Sequence, residues 1–278
     1  MPLSRKQMED LIEFSKKTRC NTIHCIAHLG VGHIGGSLSI IDLLALLYEV
    51  EMNVDPDDMK KEDRDMLVIS KGHSGPALYS TLSMKGFFPI SWLDTLNVGG
   101  TRLPSHCDRV RTPGVDMSTG SLGQGLSAAC GMALGNKMKG LDNYTYAIIG
   151  DGESQEGQNW EAAMFAPQYK LNHLIAFTDS NKLQIDGNID QVMSLGDLES
   201  KWKSFGWNTK RCSGHDFSAM HDAIESAKKE NDRPTMIILD TIKGKGMKVL
   251  ENQASNHNAP VSIEMAIEAT GREGYYEN

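Results

Sequence analysis

The chain has 278 residues, enough to bury a substantial core and close to the size at which single cores stop growing. Its apolar and charged fractions, 40% and 23%, are ordinary for a soluble globular protein. The formal net charge of -8 argues against a nonspecific nucleic-acid binder, which needs a basic stripe to neutralise phosphates.

The first residues, Met1 to Asp10, are charged and lack an apolar core, so no secretory signal is predicted. No run of about 20 apolar residues is present that could span a bilayer. Helical spacing of Met8, Leu11, Ile12, Ile23 and Ile26 predicts a first helix from about Arg5 to His28. A glycine-rich break, Gly30 to Gly36, ends it, and Ser37 or Ser39 is expected to cap a second helix. Met66 to Ile69 reads as a short strand, followed by Ser70-Lys71-Gly72-His73 and a helix through about Lys85. Prolines and glycines from Pro89 to Gly114 mark a long irregular stretch, and loops that long are usually functional. Thr119 to Gly125 then opens a helix rich in small residues, which implies close backbone approach in the core or against a second chain. Strands are expected at Tyr146 to Ile149, Leu174 to Phe177, Trp207 to Cys212 and Thr235 to Leu239, and a polar tail closes the chain. With neither an internal repeat nor a low-complexity linker, residues 1–278 read as one continuous α/β domain. The five cysteines, Cys20, Cys25, Cys107, Cys130 and Cys212, have no paired spacing, which suits a reducing cytoplasm.

The most informative motif is Gly150-Asp151-Gly152, followed by Asn181 after the next strand. The layout puts a carboxylate and a carboxamide at the carboxyl edge of a parallel sheet, where ligands of α/β proteins bind. Two such oxygens suit a hard cation such as Mg2+, with Ca2+ or Mn2+ also possible, and such ions often share ligands with phosphate. The glycines permit close approach of a phosphate, and the helix starting near Glu153 to Gln158 presents free amides. An acidic protein holds a polyanion in this way without a basic surface. The bland reading of the same residues is a tight βα turn with an Asp cap and an unrelated Asn.

Two other patterns carry less. Gly30-Val31-Gly32-His33-Ile34-Gly35 fits the dinucleotide-binding spacing, but a helix precedes it where that motif needs a strand. His24 and His28 stand one helical turn apart, as zinc ligands do, without the usual carboxylate base. A separate set, His33, His73, His106 and His257, sits in loops with glycine or proline nearby. Loops at one sheet edge can converge, and imidazoles suit sugar hydroxyls, diphosphate oxygens and proton transfer near neutral pH.

Several segments stand together in a familiar order: Gly32 to Ser39, Ser70 to His73, Thr119 to Gly125, Gly150-Asp151-Gly152 with Gln155-Glu156-Gly157, Asp179 to Lys182, and Lys243 to Gly246. In this the chain resembles the amino-terminal half of transketolases, among the thiamine-diphosphate enzymes. The resemblance implies a three-layer α/β fold, a parallel sheet flanked by helices, that binds the diphosphate end of the cofactor. It implies Asp151, Asn181 and the Leu183 carbonyl as metal ligands. Gly152, Gly120, Ser121 and Leu122 would contact thiamine diphosphate, as would Asn181; His73 would lie against its diphosphate, Ile185 beneath its thiazolium and Lys243 on its flank. His33 and His257 would handle the sugar beside the reactive carbon, with His257 also touching the cofactor, and His106 would hold the donor's terminal hydroxyl. Glu156 would join a carboxylate network across a subunit interface. Two departures from the family pattern are visible: Ile34 where proline is frequent, and Leu103-Pro104-Ser105 before His106 where glycine is common.

The resemblance further implies transfer of a two-carbon ketol unit from a ketose phosphate to an aldose, with His33 or His257 taking the C3-hydroxyl proton as the C2–C3 bond breaks. The glutamate that protonates the aminopyrimidine ring belongs to a further domain of full transketolases, which this sequence lacks. A separate subunit with pyrimidine-binding and C-terminal domains is therefore expected, in an α2β2 heterotetramer. Rival readings are a deoxyxylulose-phosphate synthase-like or 2-oxo acid dehydrogenase α-like subunit, or a non-catalytic homologue. The sugar itself stays open.

Overall fold

A computed structural model describes residues 1–277. In chain order the elements are α1 (Arg5–Leu29), β1 (Val31–Gly32), α2 (Ile34–Leu38), α3 (Ile41–Leu46), β2 (Met66–Ile69), α4 (Gly75–Met84), α5 (Gln124–Lys139), β3 (Thr145–Gly150) and α6 (Gly157–Gln168). There follow β4 (Leu174–Ser180), the small ribbon β5 (Leu183–Gln184) and β6 (Gly187–Asn188), α7 (Ile189–Val192), α8 (Leu198–Ser204), β7 (Asn208–Ser213), α9 (Phe217–Ala227), β8 (Thr235–Asp240), β9 (Ala259–Pro260) and α10 (Ile263–Thr270).

Five strands form one parallel sheet in the order β2-β3-β4-β8-β7. Alternation along these strands sorts their side chains onto two faces, because successive residues point to opposite sides. Tyr146, Ile148, Ile175, Phe177 and Ile237 pack under α1, α3, α4 and α9. Ala147, Ile149, Ala176, Met236 and Ile238 pack on the other side with residues of α5, α6 and α8. Helices on both faces of a parallel sheet give the expected three-layer architecture. Among the described residues no helix is long and apolar enough to cross a membrane.

The turn after β3 winds first as a 3-10 helix over Gly152–Gln155, and α6 begins at Gly157, within the stretch where a helix start is expected. Two local expectations need correction. The glycine-rich stretch is not an open break: Ile34 to Leu38 forms a buried helical turn, so Ser37 lies inside it and Ser39 follows it. Neither serine caps α3, whose N-cap is Ile40. The C-terminal stretch is docked rather than a loose polar tail. Ser262 caps α10, Ala266 is buried, and Tyr276 exchanges backbone bonds with the Asn21 amide at 2.7 and 3.0 Å. Its alternating glutamates and apolar residues conceal a single packed face. The last position of the 1–278 reading, Asn278, lies outside the described residues.

Candidate functional site

Parallel strands all end at one edge, so the loops following β2, β3, β4 and β8 gather there. Gly150 at the end of β3 stands in register with Asp179 near the end of β4. That pairing brings the two halves of the Asp151–Asn181 motif together. The Asp151 carboxylate accepts from the Gly152 amide at 2.8 Å and from the Lys182 amide at 2.6 Å. It is thus both the cap of a short helix and the anchor of the 181–183 turn. Lys182 holds a left-handed backbone, φ 67°, which is strained for a side-chain-bearing residue and aims its N–H at Asp151.

Asp151, Asn181, Leu183, Gly152, Ile185, Leu122, Glu156, Lys243, His73 and His257 line one cleft. Asp151 makes no ion pair among the described residues. Burial, followed by the like charge of Asp179, pushes its carboxyl up to about 7. The Leu183 carbonyl accepts a long bond, 3.4 Å, from the Lys243 ammonium. Burial, with Lys71 nearby, depresses that ammonium to about 8. A buried carboxylate short of positive charge, a carboxamide and a carbonyl form an all-oxygen set suited to a hard divalent cation. The residues present therefore fit the implied metal and the diphosphate it would carry. No group of three His, Cys, Asp or Glu side chains among the described residues could hold a metal ion. The Asp151 set relies on an amide and a backbone oxygen instead. At the zinc-like pair, the His24 ring bonds Thr270 at 3.1 Å and His28 lies 3.5 Å from Asp94.

The histidines converge by a different route. β1 and β9 pair antiparallel, with Val31 opposite Pro260 and Gly32 opposite Ala259. This two-stranded clip brings His33, just after β1, beside His257, just before β9. His73 comes from the helical turn after β2. His106 is drawn in because Cys107 donates to the Gly72 carbonyl at 3.3 Å and Thr119 donates to the Cys107 carbonyl at 3.0 Å. Gly72 is required there: a Cβ would sit 2.6 Å from the Thr119 backbone. Ring centroids separate His33 from His73 by 5.3 Å, from His106 by 5.4 Å and from His257 by 5.4 Å, and His73 from His257 by 4.9 Å. Burial lowers all four imidazoles, His33 and His257 to about 4, with repulsion from neighbouring cations and rings adding to it at His33, His73 and His257. They are therefore neutral near pH 7, each able to accept a proton or a hydrogen bond.

Other predicted residues divide. Gly120 packs its backbone against the His106 ring, where a Cβ would approach to 3.2 Å. Ser121 stays outside the cleft lining and accepts from the Gln124 amide side chain at 3.2 Å. Leu122 and Ile185 are 37% and 64% exposed, apolar surface left open to the cleft. Glu156 is exposed at the rim and caps α6.

Three charged residues inside the recognised motifs were given no role by the sequence. Lys71 is buried and donates to Asp179 at 2.5 Å and to the Gly36 carbonyl at 2.7 Å. Asp179 also accepts from Ser39 at 2.6 Å, from the Asn181 amide at 3.2 Å and from Thr241. Burial works to raise this carboxyl, but Lys71 outweighs it and the group lies below its ordinary value. Glu153 accepts from the amides of Gly123 and Gly150, both at 2.9 Å, and from Ser70. One carboxylate thus ties three motif loops together. The available signal was a charge set directly against an apolar strand.

Comparison with known proteins agrees with this geometry. The family described as transketolase, thiamine diphosphate binding domain, matches residues 12–276. The 6-deoxy-6-sulfo-D-fructose transketolase subunit SqwG of Clostridium sp. (strain MSTE9) is 54% identical over 260 residues, 94% of each chain. One of the apulose-4-phosphate transketolase subunits of Phocaeicola vulgatus is 40% identical over 95% of this chain and 93% of its own. A solved transketolase from Leishmania mexicana superposes with a TM-score of 0.90 at 28% identity, over 96% of this chain and 42% of that one. The chain therefore spans about two fifths of the solved transketolase's length. With the family matched along nearly all of its residues, this chain belongs to the transketolases, as their thiamine-diphosphate-binding domain.

Proposed function

We propose that residues 1–278 form one diphosphate-binding domain serving as the N-terminal subunit of a split transketolase in the cytoplasm. The observation that carries this is a cleft holding an all-oxygen cation cradle together with His73 and His257, against whose rings His33 packs, with His106 beside it. Asp151, Asn181 and the Leu183 carbonyl would hold Mg2+, and Gly152, Gly120 to Leu122, His73 and Lys243 would surround the diphosphate. Bound thiamine diphosphate supplies the electron sink that makes ketol transfer possible. Exposed Ile185 and Leu122 give its ring system an apolar bed. His33 or His257, whose rings lie 5.4 Å apart beside the β1–β9 clip, takes the proton of the donor's C3 hydroxyl, and His106 holds the terminal hydroxyl.

The relatives named as subunits match this chain over nearly their whole lengths, which supports a partner polypeptide supplying the remaining domains. We place that partner in an α2β2 heterotetramer, with Glu156, exposed at the rim, reaching the interface. The 54% identity makes 6-deoxy-6-sulfo-D-fructose the first donor to test, ahead of pentose and hexose phosphates. The test is to assay ketol transfer by the chain alone, by its partner alone and by the mixture, with Mg2+ and thiamine diphosphate. Activity is expected only in the mixture. Full activity from this chain alone would overturn the split-enzyme reading.

A further inference from the structure

Ser105 occupies the position before His106, and its hydroxyl lies 3.0 Å from His106 Nδ1. The backbone on both sides of it is clamped. The buried Tyr79 hydroxyl bridges the Pro104 and His106 carbonyls, at 2.8 and 3.0 Å, so one phenol holds the peptide unit before Ser105 and the one after His106. Cys107 is tied to Gly72 and Thr119, and Gly120 lies close to the His106 ring, where a Cβ would approach to 3.2 Å. With the main chain held at these points, the torsion of the imidazole about its own side-chain bonds is the freedom that remains. Among the described residues, the Ser105 hydroxyl is the polar group that restrains it.

We propose that Ser105 is a positioning residue for His106: its hydroxyl donates to Nδ1, fixing the ring's rotation and tautomer and leaving Nε2–H as the free donor for a substrate hydroxyl. An imidazole nitrogen is a far stronger acceptor than an alcohol oxygen, so between a neutral ring and a serine the O–H···N direction is preferred. Burial keeps the His106 imidazole below its ordinary value, so the ring is neutral near pH 7 and carries a single N–H. Nε2 has no partner among the described residues. A neutral histidine with one nitrogen occupied presents a single defined donor, and that discriminates a hydroxyl in one position from a freely turning ring's alternatives. This rests on the reading of His106 as the residue that holds the ketose's terminal hydroxyl.

The test uses the assembled two-chain complex and the ketose turned over fastest among xylulose 5-phosphate, fructose 6-phosphate and 6-deoxy-6-sulfo-D-fructose. Ser105→Ala is expected to raise KM for the ketose about fivefold, the worth of one ordinary hydrogen bond. It should change kcat by less than about twofold and leave thiamine diphosphate affinity alone, while Ser105→Thr restores KM. In the chain itself, histidine NMR should show the His106 midpoint moving upward in Ser105→Ala, because a donor that favours the neutral ring has been lost. An unchanged KM and midpoint in Ser105→Ala, with His106→Ala still raising KM, would overturn the positioning role and leave the ketol-transfer reading standing. An unchanged KM in His106→Ala as well would remove His106 from substrate contact, and the proposal with it. Equal losses in kcat, cofactor affinity and thermal midpoint, unrescued by threonine, would also overturn it, since the hydroxyl would then be serving the loop and not the ring.

Discussion

Two aspartates end adjacent strands of the sheet and meet opposite environments. Asp179, on the floor of the cleft, is completely buried yet fully supplied, with an ammonium, two hydroxyls and an amide around it. Asp151, on the wall, is nearly as buried, 3% exposed, and receives only two backbone amides among the described residues. The floor is finished by the chain's own residues; the wall is short of a positive charge. Where a buried charge serves the fold, its partner is covalently part of the same chain. On the reading proposed above, the wall's charge is held for a ligand, so the chain leaves the countercharge out and bears the desolvation itself.

The largest effect expected from breaking this contrast falls on the floor. Lys71→Met removes one member of a buried pair and leaves Asp179 uncompensated, which typically costs about 3–5 kcal/mol. Chemical unfolding of the apo chain should show a midpoint shift of that size at unchanged slope. Wild-type stability in Lys71→Met would mean that the pair is not structural. The network cannot be rescued by cofactor chemistry, so added Mg2+ and thiamine diphosphate should not restore the loss in full.

The wall should respond more mildly. Asp151→Asn removes an uncompensated buried charge but keeps an oxygen for only one of the Gly152 and Lys182 amides, which bond different carboxylate oxygens, so the apo chain should lose about 1–3 kcal/mol at most, less than Lys71→Met. The same variant should lose Mg2+-dependent thiamine diphosphate binding by at least about 100-fold, beyond the cost usual for residues that only orient a metal's ligands. Calorimetry with and without Mg2+ measures this. Retained affinity in Asp151→Asn would remove that carboxylate from the metal site.

This contrast also marks what could be read before folding. Asp151 and Asn181 were legible because strand-ending motifs at fixed spacing must share an edge in a parallel sheet. The four histidines were legible as loop residues, but their convergence was not. It depends on the β1–β9 clip, which joins positions more than two hundred residues apart through two-residue strands that no periodicity announces. Lys71 and Asp179 stood inside recognised motifs, yet their bond spans 108 positions and nothing in either neighbourhood names the other. Ser37 and Ser39 were misread as caps because glycines normally open a chain. Here their lack of side chains lets a buried turn approach its neighbours: a Cβ on Gly36 would lie 3.1 Å from the His73 ring. The site's chemistry is written in local motifs, and its assembly in contacts that are not local.

The smallest expected effect concerns the histidine end, and it is a matter of pH. His33 and His257 lie near 4 in the folded chain, below the usual imidazole value of about 6.5. In the window between those values the unfolded chain binds protons that the folded chain refuses, so their contribution to stability must fall as pH drops from about 6.5 toward 4. His73, lowered for the same reason, works in the same direction. Asp42, which burial alone would raise but which His215, Arg19 and Ser15 hold far below its ordinary value, loses its contribution only below about pH 4, so its window is separate. Asp151 opposes the trend: raised to about 7 by burial and Asp179, it takes up a proton in the folded chain before the unfolded chain does, so it adds stability as pH falls from about 7, and the raised Glu153 and Asp65 act in the same sense. His221 opposes it too. Burial lowers it, but Met1 and Glu51 raise it above its ordinary value, so its contribution is full below about 6.5 and fades as pH rises. Solvent reaches His33 and His257 in part, so their contribution is modest, about 5 °C in Tm between pH 7 and pH 5, read as the difference in slope between wild type and a variant lacking both rings. The double variant His33→Asn with His257→Asn should lose most of that contribution, because it removes the two groups and leaves His221 and the carboxylates in place. The same slope in the double variant as in wild type would mean that these two imidazoles are not held neutral by burial, and their role as proton acceptors near pH 7 would lose its electrostatic basis.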